Sequence, residues 1–186
     1  MNINYFEWFE LIVSFNIDPK ILKHKYIEKS KQLHPDKQNN SIISNQKTAI
    51  NNLAYQTIKN RTKRLWHILT FLGVATTNEN YTLDMDFMIM IMDMNETIEN
   101  ISESITKKKQ IDLSIMSNLQ RQYENLQQDI DKQLEFCLTK NVYSTLDNID
   151  VNNLKKIKEL LYKEKYVDQF AQKWNVIAKH NLLTNY

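Results

Sequence analysis

Apolar residues in the second half of this chain recur mostly at steps of three or four positions, the spacing that keeps side chains on one face of an α-helix. Runs of this kind follow one another, and each forms an apolar seam on an otherwise polar helix. The seams are Phe87, Ile91, Met94, Ile98, Ile101 and Ile105; Leu119, Tyr123, Leu126, Ile130, Leu134 and Cys137; and Leu154, Ile157, Leu160, Phe170, Trp174 and Ile177. We expect helices near 83–106, 110–139 and 147–182 that bury their seams against one another as a three-helix bundle.

The first half of the chain predicts shorter helices, near residues 4–13, 19–33, 42–58 and 61–72. Pro19 stands at a favoured first helical position, and Pro35 forces the break after that helix. Gly73, the only glycine in the chain, is typical of a helix C-terminus. The polar residues that follow it are typical of a linker, so the pattern predicts two units, residues 1–75 and residues 82–186.

The composition favours an all-α fold. One glycine and two prolines among 186 residues supply few of the tight turns that strand-rich folds require. A hydrophobic fraction of 42% in a chain of this length is enough for a substantial core. The net charge of +2 is too small to indicate nucleic-acid binding, but six lysines between positions 20 and 37, against two acidic residues, make that segment locally positive.

Residue counts exclude or disfavour several kinds of chemistry. Cys137 is the only cysteine, so neither an intrachain disulfide nor a cysteine-based zinc site can form. The four histidines are too dispersed to indicate a metal site, and one glycine cannot build a glycine-rich phosphate loop. The longest apolar run is too short to cross a membrane, and the N-terminus lacks the layout of a secretory signal. We expect a protein without metal or cofactor, bound to neither nucleic acid nor membrane, in a bacterial-type cytoplasm.

The tripeptide His34-Pro35-Asp36 follows the lysine-rich helical pattern directly. Taken alone, it is a helix end at which proline stops the helix and aspartate begins the next turn. An acidic side chain on a turn that proline makes rigid also suits pairing with a cationic side chain of another protein, because little conformational entropy is lost on docking. The residues by themselves leave both interpretations open.

The order of elements around this turn resembles a known family. The aromatic segment Tyr5–Phe9, the basic second helix, the turn at 34–37 and a third helix ending at 52–58 are similar to a J-domain. Arg64–Leu69, Gly73 and the long helical pattern that follows extend the resemblance to HscB, the family of J-type co-chaperones of iron–sulfur cluster assembly. The resemblance implies an all-α fold in which an N-terminal J-domain, residues 1–75, is joined to a C-terminal three-helix bundle, residues 82–186.

The resemblance also implies a partner for the first unit. In J-domains the matching tripeptide triggers ATP hydrolysis by a DnaK-type chaperone, here of the HscA type, and basic residues near it contact that chaperone. The chaperone-binding positions implied in this chain are His34, Pro35, Asp36, Lys25, Lys31 and Lys37. The lysines of the second helix would speed encounter with an acidic surface. The alternative for each lysine singly is an ordinary solvated face.

Methionines cluster on the first helix of the second unit, where five of the seven fall between positions 85 and 94. With Phe87 at 0° on a helix, Met85, Met88, Ile89 and Met92 lie about 100° to 200° away and point away from the seam. We call these four residues the methionine stripe. Because a three-helix bundle cannot bury both sides of one helix, the stripe either packs against the first unit or stays exposed as a binding surface.

The resemblance connects this region with a client protein. In HscB the matching helix carries the hydrophobic patch that binds the iron–sulfur scaffold of the IscU type. The client-binding positions implied here are Met88, Ile89, Met92, Asp93, Glu96 and Tyr162. Tyr162 belongs to the third helix of the bundle, and periodicity places it outside that helix's seam. Methionine is flexible and polarizable, which suits an adaptable surface.

The chain departs from the family pattern at a few positions. Asn60-Arg61 stands where the family usually has a residue followed by proline, and Leu65 and His67 replace the usual Ala and Tyr. Asn100 replaces an acidic residue expected near the client patch, which changes the electrostatic part of scaffold recognition.

Two other functions stay open. The first is a J-domain co-chaperone with a different or broader client, because methionine-rich surfaces bind several partners when they can repack. The second is a helical enzyme that uses His34 and Asp36 as an acid–base pair, but a pair on an exposed turn without a pocket or nucleophile lacks the geometry for such catalysis. The leading hypothesis is a non-enzymatic co-chaperone that binds the scaffold and stimulates the chaperone's ATPase.

Overall fold

The computed structural model describes residues 3–33, 41–76, 79–107, 109, 112–140 and 150–184. The regular elements in these ranges are all α-helices, so the predicted all-α fold class is confirmed. The helices are α1 (Tyr5–Trp8), α2 (Pro19–Gln32), α3 (Ser41–Lys59), α4 (Arg61–Phe71), α5 (Met85–Thr106), α6 (Leu113–Lys140) and α7 (Val151–Thr184).

Six of these helices begin at polar capping residues, and three of them show the geometry. Asp18, Asn60 and Asp84 stand directly before α2, α4 and α5, and the side chain of each accepts a hydrogen bond from a backbone N–H of the first turn, at 2.7, 2.9 and 2.8 Å. A cap of this kind contributes about 1 kcal/mol because it satisfies a donor that the helix leaves unpaired. The Asn60 cap shows how α4 starts without the proline usual in the resembled family.

The prediction of a first helix near 4–13 was wrong, since α1 ends at Trp8. Glu10 adopts a left-handed backbone conformation, with φ of 55°. The N–H of Leu11 donates to the carbonyl of Phe6 at 2.9 Å, and that of Glu10 to the carbonyl of Glu7 at 3.0 Å, which is the Schellman pattern of a helix end. A glutamate in this conformation costs roughly 1–2 kcal/mol, so no residue preference could have indicated the break.

Helix α4 ends in the same Schellman pattern, here at a glycine, which adopts the left-handed conformation easily. Gly73 has φ of 71°, its N–H donates to the carbonyl of Thr70 at 3.1 Å, and the N–H of Val74 donates to that of Leu69 at 2.9 Å. The predicted C-terminal role of Gly73 is confirmed. Glycine has no Cβ and adopts positive φ without strain, which is why the chain turns here.

Contacts divide the chain into two compact units, Met1–Glu79 with Cys137–Lys158 and Asn80–Phe136 with Glu159–Tyr186. The most deeply buried large side chains of the first unit are Phe6, Phe9, Leu22, Ile58, Leu65, Ile68, Leu69 and Ile157. In this unit the ammonium of Lys158 donates to the carbonyl of Val74 at 2.8 Å and pairs with Glu79. The amide of Asn153 donates to the carbonyl of Cys137 at 2.8 Å, and Cys137 is buried as expected.

The second unit buries the predicted seams. Its buried seam residues are Phe87, Ile91, Met94, Ile98, Ile101, Leu119, Ile130, Leu134, Leu160, Phe170, Trp174 and Ile177, whereas Ile105, Tyr123 and Leu126 are partly exposed. Polar contacts join the helices at their edges: Lys173 donates to Asn95 at 2.8 Å, and the Trp174 indole donates to Gln120. Each buried aliphatic or aromatic side chain contributes about 1.5–3 kcal/mol, so the seams hold this unit together.

Candidate functional site

The methionine stripe lies on the solvent side of α5. Met85 is 75% exposed, Met92 65% and Ile89 49%, and Met88 is half-buried. Three of the four side chains of the stripe are therefore exposed within their own unit. Single exposed apolar residues are ordinary, but three on one helical face, with half-buried Met88 beside them, make this face a candidate binding surface.

Carboxylates flank this patch. Asp93 and Glu96, two of the predicted client-binding residues, are exposed on α5. The whole of α5 contains five carboxylates and neither lysine nor arginine. A surface that combines methionine with exposed carboxylates suits a partner with apolar and basic side chains, because the charges direct encounter and the methionines supply contact area.

The start of α5 is fixed to α7 by several contacts around one lysine. The Lys163 ammonium lies 2.7 Å from the Asp84 carboxylate, 3.0 Å from that of Glu159, and 5.1 Å from the centre of the Phe87 ring. The hydrogen bond from Lys163 and the backbone N–H of Phe87 lower the pKa of Asp84 below its ordinary value. Burial opposes the charged form of Lys163, but its carboxylate partners outweigh that effect and raise its pKa. The stripe therefore begins at a rigid helix end.

Tyr162 forms an aromatic pair beside this anchor. Its ring stacks on that of Tyr81, with ring centres 4.5 Å apart and planes 1° from parallel. Both rings are partly exposed, in agreement with the predicted position of Tyr162 outside the seam. A stacked pair holds each ring in one orientation, so less entropy is lost when a partner packs against it.

The lysines of α2 are not equivalent. The Lys25 ammonium pairs with the Glu10 carboxylate at 3.0 Å, and that of Lys29 lies 5.5 Å from the centre of the Trp8 indole. The hydrogen bond and charge of Lys25 lower the pKa of Glu10, and the same contact raises the pKa of Lys25. Lys31 is exposed near the end of the helix. Part of the positive field of α2 is therefore compensated at Lys25.

The predicted trigger residues His34, Pro35 and Asp36, together with Lys37, lie outside the described residues, and only their approach can be described. Leu33, the last residue before them, is buried, and its carbonyl accepts a hydrogen bond from the hydroxyl of Ser44 at 2.7 Å. Ser44 is itself buried on α3. This bond fixes the point at which the chain leaves α2.

A buried asparagine, Asn51, connects α2 with its two neighbouring helices. The side-chain oxygen of Asn51 accepts from the Trp8 indole at 3.0 Å, and its amide donates to the Ser30 hydroxyl at 2.9 Å. Asn51 thereby connects α1, α2 and α3. Satisfied polar groups in a core specify one packing arrangement, because any other would leave them unpaired.

Arg64 and His67 on α4 have structural contacts. The Arg64 guanidinium is buried and donates to the carbonyls of Phe15 at 3.0 Å and Ile58 at 2.6 Å, and burial, with a smaller effect of Arg61, lowers its pKa. His67 stacks on Tyr5 and accepts its backbone N–H at 3.1 Å. In the part of the chain that the structure describes, no three His, Cys, Asp or Glu side chains are grouped to hold a metal ion.

No protein-family model matches the chain. Individual proteins do match. The chain is 30% identical over 176 residues to the co-chaperone protein HscB homologue of Shewanella halifaxensis, an alignment that covers 91% of this chain and 96% of that protein. The homologue of Shewanella pealeana matches with the same identity and coverage. The chain belongs to the HscB co-chaperone family.

Solved HscB structures have the same fold. HscB of Vibrio cholerae superimposes with a TM-score of 0.65 at 19% identity, covering 96% of this chain and 99% of that one. Human HscB superimposes with a TM-score of 0.66 at 20% identity, covering 94% of this chain and 81% of that one. The fold is thus an N-terminal J-domain followed by a helical bundle, as the sequence predicted. None of the helices in the described ranges combines the length and apolar character of a membrane span.

The HscB fold brings most of the predicted client-binding residues together. Met88, Ile89, Met92, Asp93 and Glu96 share one side of α5. Tyr162 lies on α7, next to the lysine that anchors the start of α5. Of the predicted chaperone-binding residues, Lys25 and Lys31 lie on α2.

Tyr81 is the neighbour of this site that sequence reasoning missed. It lies in the non-helical segment before α5, where periodicity carries no information about direction. A tyrosine in an otherwise polar linker was the only available signal. Its stacking on Tyr162 depends on the fold of α7 against that segment, which no local pattern indicates.

Proposed function

We propose that this HscB-family protein binds an iron–sulfur cluster scaffold of the IscU type and delivers it to a DnaK-type chaperone of the HscA type. In this proposal residues 82–186 hold the scaffold and residues 1–75 act on the chaperone. The observation that supports it most directly is the exposed methionine stripe, flanked by Asp93 and Glu96 on a helix without basic residues.

The client side of the proposal rests on packing and charge. Exposed methionines adapt their shape to a partner and bury apolar area on binding. Carboxylates next to them add attraction for basic side chains and disfavour acidic partners. Tyr162, held by Tyr81, would add a rigid aromatic contact of the type that often dominates interface energetics.

The chaperone side of the proposal assigns the trigger to His34, Pro35 and Asp36. Lys25, Lys31 and Lys37 would contact an acidic surface of the chaperone and raise the rate of encounter. The protein would perform no catalytic step and need no cofactor, acting in a bacterial-type cytoplasm without nucleic-acid or membrane partners. Joining the two units in one chain raises the local concentration of scaffold at the chaperone without any additional contact.

Titration calorimetry of the purified chain against the iron–sulfur scaffold tests the client assignment. The triple variant Met88→Ala, Met92→Ala, Tyr162→Ala should weaken binding at least about tenfold, because a few central side chains carry most of the energy of an interface. The control Val176→Ala removes an apolar side chain that is 70% exposed on α7, and it should bind as the wild type does. No binding by the wild-type chain would refute the scaffold assignment.

A broader client range is the second candidate, and the methionine content of the stripe favours it. Methionine-rich surfaces repack around different partners. An unfolded protein, reduced and carboxymethylated lactalbumin, would then compete with the scaffold for the chain. Failure of a large excess of this competitor to displace the scaffold would exclude the broader range.

A further inference from the structure

A groove of about 1010 Å³ separates the first half of α5 from the start of α6. Its apolar lining includes Ile89 and Met90 on α5 and Ile115 on α6, all of them exposed. The volume is at the upper end of the range of ligand clefts and is large enough for several side chains of a partner. The groove lies entirely within the second compact unit.

The groove is continuous with the methionine stripe. Around α5, with Phe87 at 0°, the stripe occupies about 100° to 200° and the groove wall about 200° to 340°. Ile89 lies at the shared edge, at about 200°, and Asp93 follows at about 240°. Both residues line the groove and both belong to the proposed client surface. A partner that covers the stripe therefore reaches the groove without crossing any other part of α5.

The groove has negative charge on its α5 wall. Asp86 and Asp93 line it, two helical turns apart, which separates them by about 10 Å along the axis. Within the described residues neither carboxylate takes part in an ion pair. On the opposite wall Arg121 donates to Asn118 at 3.1 Å and supplies one positive charge. The charge is thus divided across the groove, with the acidic side nearest the stripe.

We propose that this groove extends the client surface and receives a segment of the scaffold protein with apolar side chains and at least one lysine or arginine. The inference rests on the proposed scaffold binding and adds a second contact region to it. The apolar side chains would lie between Ile89, Met90 and Ile115. The cationic side chain would lie on the α5 wall, where Asp86 and Asp93 together make the potential negative, and away from Arg121.

The test uses the full chain, the purified scaffold and calorimetry at low salt. Ile115→Ser and Asp86→Asn alter the groove without touching the stripe. Each should weaken scaffold binding about fivefold, as removal of a buried interface side chain or charge typically does. The loss caused by Asp86→Asn should shrink as salt is raised, because screening weakens the attraction that it removes. The controls Val176→Ser and Glu135→Gln likewise replace an apolar residue by serine and a carboxylate by an amide, at exposed positions of α7 and α6 outside the groove. Both controls should bind the scaffold normally.

The outcomes separate this inference from the function on which it rests. Weak binding by Met92→Ala together with normal binding by Ile115→Ser and Asp86→Asn would keep the scaffold assignment and overturn the groove. No scaffold binding by the wild-type chain would overturn both. A concentration-dependent dimer of the wild type that Ile115→Ser dissociates would assign the groove to a second copy of this chain instead. Thermal unfolding of each variant, monitored by circular dichroism, shows whether it is folded.

Discussion

The partial burial of His67 makes the stability of the fold depend on pH. Its ring stacks on Tyr5 and accepts that residue's backbone N–H, and burial lowers the pKa of His67 below its ordinary value of 6.5. The unfolded chain therefore binds this proton more readily than the folded chain does. The stability that the neutral ring contributes is fully present above the pKa of His67 in the unfolded chain. It is lost as the pH falls through the lower pKa of His67 in the folded chain.

Thermal unfolding should show this loss. Between pH 7 and pH 5 the melting temperature of the wild type should fall about 2–4 °C more than that of His67→Phe. The reason is that a protonated ring cannot accept the Tyr5 N–H, and one hydrogen bond is worth about 1 kcal/mol. Phenylalanine keeps a ring in place but cannot titrate. His24→Gln changes an exposed histidine on α2 and should behave as the wild type does. Equal losses for the wild type and His67→Phe would contradict the assignment.

At the residue scale, the sequence indicated burial better than polar contacts. Phe87, Ile91 and Met94 are buried because helix geometry alone fixes which residues share a face. Nothing in the pattern indicated that Arg64 would be buried against two backbone carbonyls or that Tyr81 would stack on Tyr162. The contacts of Arg64 with Phe15 and of Tyr81 with Tyr162 join residues far apart in the chain, and these partners are defined only once the chain has folded.

The end of α4 depends on the backbone conformation of one residue, Gly73. Gly73→Ala should lower the free energy of unfolding by about 1 kcal/mol, measured by urea denaturation, because Gly73 has a left-handed φ of 71°. A Cβ at this position would meet no atom within 4 Å, so the loss comes from the backbone and not from a clash. Gly73→Asn is the matched control and should lose less, since asparagine tolerates this conformation better. Equal stability of the alanine variant and the wild type would exclude the effect.

At the element scale, long helices were predictable and the short one was not. The seams of α5, α6 and α7 repeat over many turns, so a few exceptions do not hide them. Helix α1 has one turn, and its end depends on the strained backbone of Glu10, which also pairs with Lys25. The tertiary fold holds that residue in a conformation that its own preference opposes.

At the scale of the whole molecule, a net charge of +2 conceals two helices of opposite sign. Helix α2 contains five lysines and one glutamate, whereas α5 contains five carboxylates and no basic residue. Opposite electrostatic potentials on the two units would favour a different partner at each unit. They would also disfavour binding of either partner to the wrong unit. This charge division is consistent with the proposed pair of chaperone and scaffold.

The proposal predicts that the two activities can be separated. His34→Gln should leave scaffold affinity unchanged and reduce stimulation of the chaperone ATPase to the basal rate, because it alters only the proposed trigger. The variant Met88→Ala, Met92→Ala should do the reverse, with normal stimulation in the absence of scaffold and weakened scaffold binding. Steady-state ATPase assays and calorimetry on the same preparations measure both. A fully active His34→Gln protein would contradict the trigger assignment.

The exposure of the methionine stripe has a chemical consequence as well. Thioethers in solvent are open to oxidation to sulfoxides, which are polar, whereas buried ones are protected. Met85 and Met92 are 75% and 65% exposed, and Met94 on the opposite side of the same helix is 3% exposed. Oxidants would therefore reach the stripe before the core. A molecule damaged in this way would keep its fold and its J-domain while losing the apolar character of the surface proposed to bind the client.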